Sequence, residues 1–203
     1  MRSLSEIETA VKRASKAAGF SWGVSEEVGK SVRQLELFGL QGIKNLNKYY
    51  KDKTTKKFED LNLISKKNVP SSEPYCPIIL GISFLDQIKS LENLKTINFK
   101  NIAYPIIFLS FLSRASEISG KKIHARFDQN EILLNLNVNI FSSFLNQEFP
   151  KLANKIEIKF VNNQDNFTKG EWNSLYKLAE NTFVEESESL KQGAAGAGLT
   201  DND

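Results

Sequence analysis

The chain has 203 residues, of which 40% are hydrophobic and 25% charged, enough for one well-buried core or two small lobes. Its 27 basic and 24 acidic side chains leave a formal charge of only +3, which argues against the strongly basic surface that nonspecific nucleic-acid binding requires. One cysteine excludes an internal disulfide framework, and no stretch reaches the length of apolar residues needed to span a bilayer.

Met1 to Glu6 runs into an amphipathic pattern without an apolar signal core, which predicts a soluble cytoplasmic protein. Ser3 and Glu6 fit a capping box. Leu4, Ile7, Val11, Ala14 and Ala18 then keep a helical period, and Gly19 stops it. Phe20 to Gly23 reads as a corner, with Trp22 anchoring the interface of two helices. The second helix is predicted from Ser25, with Val28, Val32 and Leu35 inward and Gly39 as its end. Ala14, Ala17, Ala18 and Gly29 are small enough to let the two helices approach closely.

A short helix over Ile43 to Tyr50 leads into a lysine-rich run to Lys57, read as a solvated loop; Tyr49 and Tyr50 within it are candidates for stacking on bases. Pro70 to Pro74 is a turn or linker between a helical part, 1–69, and an α+β part, 75–192, expected to form one compact unit followed by a Gly/Ala-rich tail, 193–203. Pro77 to Asp86 is apolar and favours a helix because proline suits the first helical position. Thr96 to Phe99 reads as a short strand. Pro105 opens an apolar helix that Gly120 closes.

Lys121 to Phe127 and Glu131 to Asn137 alternate around Asp128-Gln129-Asn130, which predicts a hairpin with a three-residue loop. Another strand covers Lys155 to Val161. A last helix follows Thr168, with Trp172, Leu175, Leu178 and Ala179 inward, and is expected to continue to Lys191. The order predicts an α+β fold: an N-terminal helical hairpin and further helices packed on a small, mostly antiparallel sheet, followed by a flexible or docking C-terminal tail.

Chemistry-bearing residues are sparse. His124 alternates onto one strand face with Lys122 and Arg126, a solvated or anion-facing position. Cys76 precedes a helix start, where the dipole would lower a thiol pKa, although a lone cysteine more often serves as a small core residue. Asp86, Arg114, His124 and Arg126, with Cys76, are the weak candidates for a catalytic set. One His and one Cys make a zinc site improbable, and no metal or cofactor is assigned.

In the tail, Gly193, Gly196 and Gly198 permit close backbone contact, Leu199 supplies an anchor, and Asp201 and Asp203 supply negative charge. The expectation is a non-catalytic accessory or interaction protein whose tail docks on a protein partner or a neighbouring subunit, without nucleic acid or membrane. The alternative is a small-molecule-binding protein, or a metal-independent enzyme using carboxylates and arginines.

Ser21-Trp22-Gly23, the run Cys76 to Gly81 and the end from Glu188 to Asp203 together resemble a bacterial, mainly proteobacterial, family of unknown function spanning about the whole chain. That resemblance implies no activity. Residues 3–50 also resemble the opening helices of malate/L-sulfolactate-type dehydrogenases, which implies NAD chemistry in that family. Where those enzymes carry Ser-His-Gly with a functional histidine, this chain has Leu40-Gln41-Gly42.

Overall fold

A computed structural model describes residues 2–70, 72–142 and 148–183. The chain divides into two compact units, Met1–Asn163 and Gln164–Asp203. The predicted tail residues Gly193, Gly196, Gly198, Leu199, Asp201 and Asp203 lie outside the described residues.

The first unit opens with α1 (Leu4–Ala17) and α2 (Trp22–Leu37). Ser3 caps α1 by accepting the Glu6 N–H at 3.1 Å, while the Glu6 carboxylate takes the Arg2 guanidinium at 2.7 Å. The second helix starts three residues before the predicted Ser25. Ser21 is its cap, accepting the Val24 N–H, and Ser25 instead turns its hydroxyl back to the Ser21 carbonyl at 2.7 Å. Trp22 is therefore not an interface anchor: it sits in the first turn, 57% exposed, with the Lys16 ammonium 5.6 Å from its ring centre. Gly29 makes the close approach, since a Cβ there would lie 2.9 Å from the Glu8 carbonyl oxygen.

α3 (Gly42–Lys53) and β1 (Lys67–Asn68) follow, then α4 (Pro77–Asp86) and α5 (Ile88–Leu91). β2 (Ile97–Ala103) is longer than the predicted strand and leads into α6 (Pro105–Ser119), which Gly120 ends in the left-handed region at φ 65°. Every residue from Pro105 to Ser113 is buried, so α6 is the central helix, wrapped on all sides. Side chains from both sides of Pro70–Pro74, such as Val32, Leu46, Ile64, Phe84 and Phe99, join one continuous core.

β3 (Lys122–Phe127), β4 (Asn130–Asn135), β5 (Asn139–Ser142) and β6 (Leu152–Val161) complete a six-stranded sheet in the order β1-β2-β6-β3-β4-β5. Only β1 and β2 pair in parallel among these strands. The hairpin loop is two residues, not three. Phe127 pairs with Asn130, and Asp128 takes φ 49°, as tight hairpins demand of their first central residue. The short strands β1 and β5 carry no alternation long enough to read.

One sheet face, with Ile97, Phe99, Ile123, Ala125, Ile132, Leu134, Ile156 and Ile158, is buried in the core. The opposite face carries the polar partners of the alternation. The structure is an α+β fold, and among the described residues no helix is long and apolar enough to cross a membrane.

In the second unit, Thr168 forms a full capping box with Glu171 at the start of α7 (Lys169–Ala179), as its local sequence dictates. The helix gives way to a 3-10 turn, Glu180–Thr182, and Phe183 is extended, so the predicted helix is interrupted there; its remainder to Lys191 lies outside the described residues. Trp172, Leu175 and Leu178 do not point into a core; they are 50%, 64% and 66% exposed, and Ala179 is exposed too. Phe167, Trp172, Tyr176 and Phe183 form a chain of ring contacts at 5.5, 6.3 and 6.0 Å between centroids.

Candidate functional site

Three stretches distant in sequence meet around a cleft of about 590 Å3: the corner Gly19 to Val24, the end of α3 with Lys53 to Asp60, and the start of α4 at Cys76 and Ile79. That volume suits a compact organic ligand. Its floor is Tyr49, wholly buried, whose hydroxyl lies 3.0 Å from the Cys76 Sγ. Tyr49 packs against Phe58 at 5.2 Å and Tyr104 at 5.7 Å, fixing its ring. The lysine-rich run therefore aims its two tyrosines inward, not at solvent bases: the Tyr50 hydroxyl donates to Ser15 Oγ at 2.6 Å, and burial pushes its pKa up to about 12.

Cys76 caps α4, its sulfur accepting the Ile79 N–H at 3.5 Å. The helix start favours a lowered thiol pKa, but Cys76 is the small core residue of the alternative reading, 3% exposed. Burial raises its pKa instead, outweighing the hydrogen bonds from Ile79 and Tyr49. The group at the cleft floor is a protonated thiol paired with a phenol whose own pKa burial also raises.

The mouth is cationic. Lys53 Nζ donates to the Ala18 carbonyl at 3.3 Å and stands 5.2 Å from the Phe20 ring centre. Lys56 pairs with Asp52 at 3.0 Å; Asp52 also accepts the Tyr104 hydroxyl at 2.8 Å, and these bonds lower its pKa. Lys57 lines the cleft with no ion-pair partner among the described residues. Facing these is one carboxyl, Asp60, whose pKa is raised by lost hydration against the pull of Lys53. Three lysines over Phe20, Tyr49, Phe58, Val24 and Ile79 make an aromatic and aliphatic pocket under positive charge.

The other sequence candidates do not converge here. Asp86 is exposed at the end of α4. Arg114, on α6, pairs with Glu27 of α2. His124 Nε2 lies 3.3 Å from Glu131, and the same carboxylate takes Arg126 at 2.6 Å, so those two share a partner on the open sheet face. Among the described residues no group of three or more His, Cys, Asp or Glu side chains could hold a metal ion. The cleft was missed in sequence because its lysines look like any solvated run until Gly19 to Val24 and Cys76 are folded against them.

Residues 2–75 match the model of a family described as Protein of unknown function (DUF3726), which takes in the Ser21-Trp22-Gly23 corner and the cleft lysines. No curated protein matches the chain, and neither does any solved structure. Nothing in these comparisons supports the likeness to malate/L-sulfolactate-type dehydrogenases.

Proposed function

We propose that this is a cytoplasmic small-molecule-binding protein whose ligand is a compact organic anion, a carboxylate or phosphate ester with an aromatic or alkyl body. The observation that carries the reading is the cleft itself: Lys53 and Lys57 against the lining carboxyl Asp60, with Lys56 held by Asp52, above an apolar floor. The anionic group would meet the lysines, and the apolar body would displace water from the half-buried Val24, Phe58 and Ile79. A single buried thiol is compatible with the reducing cytoplasm.

A thermal-shift series with phenyl phosphate, hexyl phosphate, benzoate and neutral benzyl alcohol tests this. A ligand at one hundred times its dissociation constant adds about 2.7 kcal/mol, or about 5–10 °C in Tm for a unit of this size. At least one anion should produce that shift, benzyl alcohol should not, and Lys53→Glu with Lys57→Glu should remove it. No shift with any anion, or a shift indifferent to the lysine substitutions, refutes the reading.

A second reading, the accessory protein with a C-terminal docking arm, is favoured by the exposed aromatic face of α7. Trp172, Leu175, Tyr176 and Phe183 are each about half exposed or more. In it, α7 and the segment carrying Gly193 to Asp203 together engage a protein partner. Cross-linking of the full chain against a chain ending at Asn163 separates the two readings, since only the arm requires the second unit.

A further inference from the structure

The near-neutral charge of the whole chain conceals a segregation that the sheet creates. Cross-strand pairing assigns Lys67, Lys100, Lys122, Arg126, Lys155 and Lys159 to the face opposite the core; among the described strand residues Glu131 and Glu157 are the acidic ones on it, and the hairpin's Asp128 carboxylate is engaged by the Asn154 and Lys155 N–H groups. Arg126 is held by Glu131 at 2.6 Å and Lys159 by Glu157 at 2.8 Å. Lys67, Lys100, Lys122 and Lys155 have no ion-pair partner among the described residues. Lys100 and Lys155 stand directly opposite each other across β2 and β6, where like charges repel. Both line a hollow of about 380 Å3 with Lys67 and Asn98, at the β1 edge.

The same face also carries an exposed ring. Phe141 on β5, 59% exposed, pairs with Leu133, which pairs with His124, which pairs with Lys159. A row of Phe141, Leu133, His124 and Lys159 thus crosses four strands, with Phe141 and His124 two strands, or about 9–10 Å, apart, and with Lys155 and Lys100 three and four strands from Phe141.

We propose that this open sheet face binds single-stranded nucleic acid, its phosphates on the four unpaired lysines and an unstacked base on Phe141. The choice over a duplex follows from shape and chemistry. An exposed ring on the same face as unpaired lysines can stack on a base only where that base is splayed out of a helix, as in a single strand. The choice over an acidic peptide rests on Phe141, which a row of carboxylates would not need.

Fluorescence anisotropy of the full chain with labelled strands of about 12 nucleotides, oligo(dT) and oligo(rU), tests this. Four lysine–phosphate contacts predict a slope of about −3 in log affinity against log salt between about 50 and 200 mM. Lys100→Glu with Lys155→Glu should weaken binding at least tenfold and flatten the slope to about −1.4. Phe141→Ala should weaken it about fivefold or more. Circular dichroism checks that the variants fold; should the glutamate pair fail, Lys67→Gln with Lys122→Gln takes its place. A tighter affinity for one strand tells RNA from DNA, either of which fulfils the proposal. It is overturned by no binding at low salt, by either substitution set leaving affinity unchanged, or by polyglutamate displacing the strands as well as an unlabelled oligonucleotide does.

Discussion

Gly81 sits where α4 crosses the central helix, and replacing it with alanine sets two known effects against each other. A Cβ at Gly81 would stand 2.3 Å from both Cγ and Cδ2 of Phe111, and 2.8 Å from Cε2. Ordinary contact begins near 3.4 Å, so the ring or the helix must retreat by about 1 Å. Phe111 has nowhere to go: it is fully buried on a helix buried all round. Alanine gains about 1 kcal/mol of helix propensity over glycine. Overpacking a filled core costs about 1–3 kcal/mol, and the wall met here is the body of a ring and not the end of a flexible chain.

With the contact at the severe end of that range the clash should win, giving a net loss of up to about 2 kcal/mol for Gly81→Ala. Urea denaturation followed by circular dichroism measures it as a lower midpoint at unchanged m-value. Gly23→Ala is the internal control, since a Cβ there meets nothing within 4 Å; it should be neutral or stabilising. Phe111→Leu combined with Gly81→Ala should lose less than the sum of the two single losses. If Gly81→Ala stabilises as Gly23→Ala does, the account of the α4–α6 crossing is wrong.

Cys76 should resist a thiol reagent at pH 8 in the folded protein and react at once in denaturant, because burial withholds both access and the thiolate; rapid native labelling would contradict the buried pair with Tyr49. Asp60 has its pKa raised in the fold, so its contribution to stability is fully present below its unfolded value and is lost as pH rises through the folded one. Asp60→Asn should therefore raise Tm at pH 7 and give no gain near pH 3, as a calorimetric pH series would show. Trp22→Ala should change stability by less than about 0.5 kcal/mol in urea titration, as surface substitutions do; a loss of 2 kcal/mol or more would restore it as an interface anchor.

Local chemistry was legible wherever one residue type decides the backbone. Ser3 as a cap, Pro77 and Pro105 as helix openers and Gly120 as a stop all act within a turn of themselves, so their sequence is their environment. The alternation of Lys122 to Phe127 likewise placed His124 and Arg126 together on one face before any partner was known. Ser21 against Ser25 was the harder case. Both hydroxyls can cap; Ser21 does so, which puts Trp22 in the first turn and exposed, while Ser25 bonds back to the Ser21 carbonyl.

What the chain order could not convey is which distant segments share a space. The direction of the Cys76 pKa turned on burial by neighbours such as Tyr49, 27 residues away in the chain. The lysine run became the mouth of a cleft only when Gly19 to Val24 and Cys76 closed around it. A total charge of +3 says nothing of segregation, which arises because β2, β3 and β6 bring Lys100, Lys122 and Lys155 to one surface through pairing. Helix starts, stops and strand faces are short-range consequences of sterics and hydrogen bonding, and sequence determines them alone. Clefts, shifted pKa values and charged faces are sums over long-range contacts, and only the tertiary structure decides those.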